Sequence, residues 1–147
     1  MSAPHASIEI NAPAQRVWAV LTDLPLYPQW APFTVAIDGA LAPGAQVTVH
    51  VEMTPGAALR QQPMTVTDVS PAAARLAWTM SLLAPFLLHA EREQRVEGLS
   101  ASTCRYSTTD RMSGLLAPLV LALYGGSVAS GLQRFAAALK ARAEAQG

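Results

Sequence analysis

The sequence predicts an α+β fold in which a seven-stranded curved antiparallel sheet wraps around a long C-terminal helix, with two short helices between strands 1 and 2. Three observations predict it. From residue 33 to residue 112 apolar and polar side chains alternate in runs separated by Pro, Gly and Ser, the period-two signature of half-buried strands joined by short turns. The tail instead repeats its apolar residues at helical spacing. Between the first strand and this β-rich middle lies a short helical pattern with Asn and Pro at its head.

The elements follow in order. Ser7 to Ile10 reads as a short strand with Ile8 and Ile10 on one face. Asn11 is a candidate N-cap and Pro13 suits a first helical turn, so Val17, Trp18 and Leu21 predict an amphipathic helix over about 13–23. Leu24 to Trp30, broken by Pro25 and Pro28, reads as one further turn exposing two aromatics, Tyr27 and Trp30. Phe33, Val35 and Ile37 then alternate with Thr34, Ala36 and Asp38. Pro43-Gly44 supplies a turn, after which Val47, Val49, Val51 and Met53 alternate with Thr48, His50 and Glu52. Met64 to Val69 follows the turn begun by Pro55-Gly56, and Arg75 to Leu82 puts Leu76, Trp78, Met80 and Leu82 on one face.

The next strand, Leu88 to Glu97, is the most informative. One of its faces carries Glu91, Glu93, Arg95 and Glu97, which must meet water. The other then turns Ala90, Arg92, Gln94 and Val96 toward the interior. After a turn over Gly98 to Ser102, a last strand over about 103–112 points either Cys104, Tyr106, Thr108 and Asp110 inward, or Thr103, Arg105, Ser107 and Thr109. The first set is preferred, because it holds the large aromatic and leaves Arg105 outside. Arg92 is then expected beside Thr108 and near Asp110. In the tail, Leu121, Tyr124, Val128, Leu132, Phe135 and Leu139 form one stripe. Gly125, Gly126 and Gly131 interrupt a helix that otherwise reads well, which points to a kink, to close packing, or to a helix contact in a homodimer. A twisted sheet need not touch a helix of that length everywhere, and any gap becomes a cavity.

Composition bounds the function. With 147 residues the chain is expected to form a single domain, 1–147. A hydrophobic fraction of 51% against 14% charged excludes intrinsic disorder. Ten basic and ten acidic residues cancel, so the basic excess of a nucleic-acid binder is missing. The single cysteine, Cys104, allows no internal disulfide and fits a reducing compartment. No secretory signal opens the chain, and the apolar run from Leu115 to Tyr124 is shorter than the ~20 residues of a spanning helix. A soluble, cytoplasmic protein without a transmembrane segment is expected. Near-zero net charge leaves homodimer formation open.

Candidate chemistry concentrates at the predicted interior. Arg92 reads either as an anchor for a carboxylate or enolate, with Gln94, Tyr106 and Thr108 as neutral partners, or as half of a structural pair with Asp110. Trp30, Phe33, Trp78, Met80, Tyr106, Tyr124 and Val128 read as pocket wall or as ordinary core, and Met53 and Met64 as adaptable filler of either. His5, His50 and His89 have no metal-ligand spacing, so no metal and no other cofactor is expected. No nucleophile elbow occurs, and Cys104 reads as an inert small hydrophobe. Asp110, with Tyr106 beside it, is the candidate for acid–base work.

Several segments carry a resemblance to a known family: Ile10-Asn11-Ala12-Pro13 followed by Val17-Trp18, Leu21-Thr22-Asp23, Tyr27 to Phe33, the Gly39, Leu41, Gly44 spacing, Leu76-Ala77-Trp78, and Ser113 to Pro118. The chain resembles the START-like helix-grip superfamily, whose members include polyketide cyclase/dehydrase-type (SRPBCC) proteins. The resemblance implies a hydrophobic or amphipathic small molecule held between sheet and helix, and carries no shared catalytic set. Three functions fit it. The first is binding or transport of a hydrophobic small molecule, lipid, aromatic or polyketide-like, with a polar or anionic group. The second is a cofactor-free cyclase or dehydratase in which Arg92 stabilises an enolate while Asp110 or Tyr106 moves the proton. The third is an Hsp90-activator-type interaction module, which requires a filled interior.

Overall fold

The computed structural model describes residues 3–82, 84 and 86–145. Seven strands form one antiparallel sheet: β1 His5–Ile10, β2 Thr34–Asp38, β3 Gln46–Val51, β4 Arg60–Ser70, β5 Arg75–Leu82, β6 Leu88–Gly98 and β7 Cys104–Ser113. Their order is β1-β7-β6-β5-β4-β3-β2. From β2 to β7 every strand pairs with its successor, and only β1 is placed by a long connection, against β7. That connection holds helix α1 (Ala14–Thr22), a 3-10 turn (Leu24–Leu26) and helix α2 (Tyr27–Trp30). Helix α3 (Ala117–Ala145) closes the chain and packs on β1, α1 and β7. The helix-grip architecture expected from the sequence is present.

Two local expectations at α1 and α2 fail. Asn11 does not cap α1: the cap residue is Pro13, whose carbonyl accepts from the N–H groups of Arg16 and Val17. Asn11 lies two residues too early, and its own N–H donates to Glu144 Oε2 at 2.8 Å, tying the strand exit to the end of α3. Tyr27 is not exposed. It is fully buried and donates to the Leu21 carbonyl at 2.5 Å. Trp30, half-buried, packs on the Tyr27 ring at 5.1 Å and on Phe135 at 5.2 Å.

A third difference shapes the interior. Thr34 pairs with Val51 but Ala36 with His50, so β2 spends one extra residue there. This bulge reverses the inward parity, and Thr34, predicted on the polar face, is buried together with Phe33. Phe33 itself adopts a left-handed backbone, φ 64°. Its ring lies against the backbone of α3 at Gly131, where an added Cβ would collide with the Phe33 ring. Close packing therefore accounts for Gly131, whereas Gly126 faces open space.

The core lies where the second half of α3 meets the sheet. Val128, Leu132, Phe135, Leu139 and Ala143 are buried there at helical spacing. They pack with Ile10, Leu21 and Val66 in one cluster. The first half of α3 is different: Tyr124 is 38% exposed, and Leu119 and Leu123 face outward. The outer face of the sheet carries the charges. Arg75 joins Asp68 and Glu93, and Arg111 joins Glu91 and Glu93.

Candidate functional site

Because the first half of α3 stands off the sheet, a cavity of about 340 Å³ remains between them. The interaction-module reading required a filled interior, and this interior is hollow. Every strand except β1 contributes to the wall or its rim. Beta strands 2 and 3 bring Thr34, Val49 and Val51, with Phe33 just before them. Beta strands 4 and 5 bring Arg60, Gln62, Met64, Trp78, Met80 and Leu82. Beta strands 6 and 7 bring Leu88, Ala90, Arg92, Asp110 and Met112, and α3 adds Val120, Tyr124 and Val128. Met53, just past β3, completes it. Met53, Met64, Met80 and Met112 all line the cavity, a wall of flexible thioethers that adapts to irregular shapes. Arg60 and Leu82 are exposed at the rim, with the Arg60 guanidinium 5.5 Å from the Tyr124 ring.

Arg92 is the centre of this site. The alternation on β6 sends its side chain inward, where it is 5% exposed. Its Nε donates to Thr108 Oγ1 at 3.2 Å and its Nη1 to Thr34 Oγ1 at 2.6 Å. Phe135, Trp78 and Phe33 surround it, their ring centroids 5.0, 5.8 and 6.0 Å from the guanidinium carbon. Nη2 is buried and has no partner.

Asp110 stands opposite Arg92 in the strand register, on the same cavity wall. The structural pair nevertheless does not form: none of the ion pairs among the described residues includes Arg92. The guanidinium is turned instead toward the two threonine hydroxyls under the aromatic rings. Burial pushes the Asp110 carboxyl up to about 6, and the Arg92 charge offsets this only in part.

Of the residues read from the sequence as site candidates, Phe33, Trp78, Met80, Arg92, Asp110, Tyr124 and Val128 meet at the cavity. Trp30, Gln94, Tyr106 and Thr108 do not line it. Trp30 belongs to the aromatic cluster around Phe135. Tyr106 is fully buried behind the wall and donates to Gln94 Oε1 at 2.5 Å, which leaves Gln94 Nε2 without an acceptor. Burial raises the Tyr106 hydroxyl well above its usual range. Thr108 supports Arg92 from behind. Thr34, Arg60 and Gln62 were missed. Arg60 and Gln62 share the inward parity of Met64, a signal that was available, whereas Thr34 reaches the interior only through the bulge.

The remaining candidates lie elsewhere. Cys104 is buried and desolvation raises its thiol, so it has no thiolate character. His50 pairs with Asp38 at 2.7 Å and His89 with Ser81 at 3.0 Å, both on the outer face, and His5 is exposed. Among the described residues no group of three or more His, Cys, Asp or Glu side chains comes together. Among the described residues no helix is long and apolar enough to cross a membrane.

Comparison with known proteins places this geometry. No curated protein matches the sequence. Among solved structures, the Zhui aromatase/cyclase from Streptomyces superposes with a TM-score of 0.70 at 21% identity, over 97% of this chain and 93% of that one. A START superfamily protein from Mycobacterium smegmatis gives 0.69 at 19% identity, over the full length of both. The di-domain ARO/CYC StfQ from the steffimycin biosynthetic pathway gives 0.72 at 17%, over 97% of this chain and 45% of that one. At these identities the likeness establishes the fold. The sequence family described as polyketide cyclase / dehydrase and lipid transport matches residues 4–144, and the chain belongs to it.

Proposed function

We propose that this chain binds a small apolar molecule in the cavity between sheet and α3, and that an anionic or strongly hydrogen-bond-accepting group of that molecule docks on Arg92. One observation carries the reading. A guanidinium is always charged, this one is buried without a carboxylate partner, and its Nη2 donors are unused. A buried charge left so is costly, and an acceptor entering the cavity relieves that cost. The volume of about 340 Å³ falls at the lower end of the ~300–1,000 Å³ common for small-molecule sites. The mostly apolar wall suits a ring system or short acyl chain. The family description, which names both cyclisation and lipid transport, agrees with such a ligand.

The test is native mass spectrometry of protein purified from its own host, followed by thermal-shift screening with aromatic and fatty acids. Arg92→Ala is expected to weaken an acid ligand by about 10- to 100-fold, the worth of a charge-assisted hydrogen bond. Equal affinity of the variant for every acid that binds the native protein overturns the anchor.

A second reading, a cofactor-free cyclase or dehydratase, is favoured by Asp110. A carboxyl held near 6 on the wall that carries Arg92 suits proton transfer at neutral pH, with Arg92 stabilising the developing oxyanion. In that case Asp110→Asn abolishes turnover and spares binding. A carrier gives no turnover in either form.

A further inference from the structure

We propose that Asp110 takes up a proton when an anionic ligand docks on Arg92, so that the cavity binds anions and neutral molecules of the same shape with different pH dependence. This rests on Arg92 as the anchor. The geometry argues as follows. Arg92 and Asp110 are register partners on β6 and β7, so their Cβ atoms stand only ~4.5–5.5 Å apart, and both line the cavity. They make no ion pair, and the unpartnered Nη2 is the donor left for a ligand. In the empty cavity the Asp110 carboxylate is the negative charge nearest in register to Arg92. A ligand anion on Nη2 takes over that role and leaves two negative charges facing one guanidinium. A like charge within ~6 Å disfavours the ionised carboxyl. Protonated, Asp110 becomes an O–H donor beside the same anion. The proton comes from the buffer and nothing else changes hands.

No other group stands in its place. The Pro4 carbonyl, just before β1, accepts the Asp110 N–H at 2.9 Å, and His5 on that strand is exposed. Beta strand 6 offers Arg92 inside, while its Glu91 and Glu93 pair with Arg111 on the outer face. Tyr106 on β7 lies behind the wall. Beta strand 4 contributes Arg60 at the rim and α3 contributes Tyr124. Among the described residues Asp110 is the one carboxyl lining the cavity. Its free carboxyl titrates near 6, so ordinary buffers cover the transition.

Two probes of nearly the same shape test this: anilinonaphthalene sulfonate, anionic at every pH used, and uncharged phenyl-naphthylamine. Only sulfonate that the amine displaces is counted, which excludes binding elsewhere. From about pH 5 to about pH 8 the sulfonate's affinity for the native protein is expected to fall by up to about tenfold per pH unit above pH 6, while the amine's stays level. In Asp110→Asn the sulfonate's affinity stays level and exceeds the native value at neutral pH. Calorimetry of the native protein at pH 7, in buffers of different ionisation heat, is expected to read uptake of close to one proton for the sulfonate and none for the amine. A sulfonate profile that is the same in Asp110→Asn, or no uptake, overturns the proposal. If Arg92→Gln still weakens the sulfonate in that event, the anchor stands without the proton. If Arg92→Gln leaves it untouched, or neither probe binds, both fall.

Discussion

At position 92 a guanidinium sits 5% exposed among three aromatic rings, those of Phe33, Trp78 and Phe135 around Arg92. Its two hydroxyl partners satisfy part of its donor set and none of its charge. This placement was legible from β6 alone: four charged residues on one parity put Arg92 on the other. Its partner was not legible, because strand register opposes Asp110 to Arg92 without deciding which way a flexible guanidinium turns. Asp110 carries a stability consequence with a definite sign. Its folded pKa of about 6 lies above the unfolded value of about 3.9. Between those values the folded chain holds the extra proton, so stability falls as pH rises through that window and stays lower above it. Asp110→Asn removes this penalty. The variant is expected to be more stable than the native protein by about 3 kcal/mol at pH 7 and nearly equal to it near pH 4, as denaturant titration at the two pH values will read. Equal stability at pH 7 would mean that water already reaches the carboxyl.

The elements show where alternation stops being a guide. Strands β3 to β7 turn the expected faces inward, because each pairs with its neighbours with few irregularities. Beta strand 2 departs from the pattern by one residue, and that residue brings Thr34 to Arg92 and sets Phe33 against α3. A bulge leaves no mark in a run of alternating side chains, so Thr34 could not be read as a site residue. The glycines of α3 separate in the same way. Gly131→Ala drives a methyl into the Phe33 ring, and is expected to destabilise by about 1–3 kcal/mol through overpacking. Gly126→Ala meets nothing within 4 Å and is expected to stabilise by up to about 1 kcal/mol, through helix propensity. Thermal unfolding of the pair checks both, and a loss at Gly126 as large as that at Gly131 would refute the packing account.

For the whole molecule, function depends on how far α3 follows the sheet. Its second half is gripped by β1, β7 and α1, while its first half stands away and leaves the cavity. Val128 sits at the boundary, buried and on the cavity wall. Val128→Trp is expected to fill the space, abolish binding of any cavity ligand and leave the melting temperature within a few degrees, since the indole enters a void rather than a packed core. Unchanged ligand affinity in a folded Val128→Trp variant would place the ligand elsewhere.

What the sequence determined by itself is periodic: seven strands, the short helices after the first, the helical tail, and the inward parity of Arg92, Trp78, Met80 and Asp110. These follow from backbone repeats of 2.0 and 3.6 residues, which every few neighbouring side chains report. The tertiary structure alone decided which inward residues meet. Tyr106, Gln94 and Thr108 share the inward face of Asp110 and Arg92, yet packing closes over them. Arg60, 32 positions before Arg92 in the chain, comes to the rim of the same cavity. Whether an inward side chain ends in core or in cavity depends on the distance between sheet and helix above it, and that distance is set by contacts made elsewhere along α3.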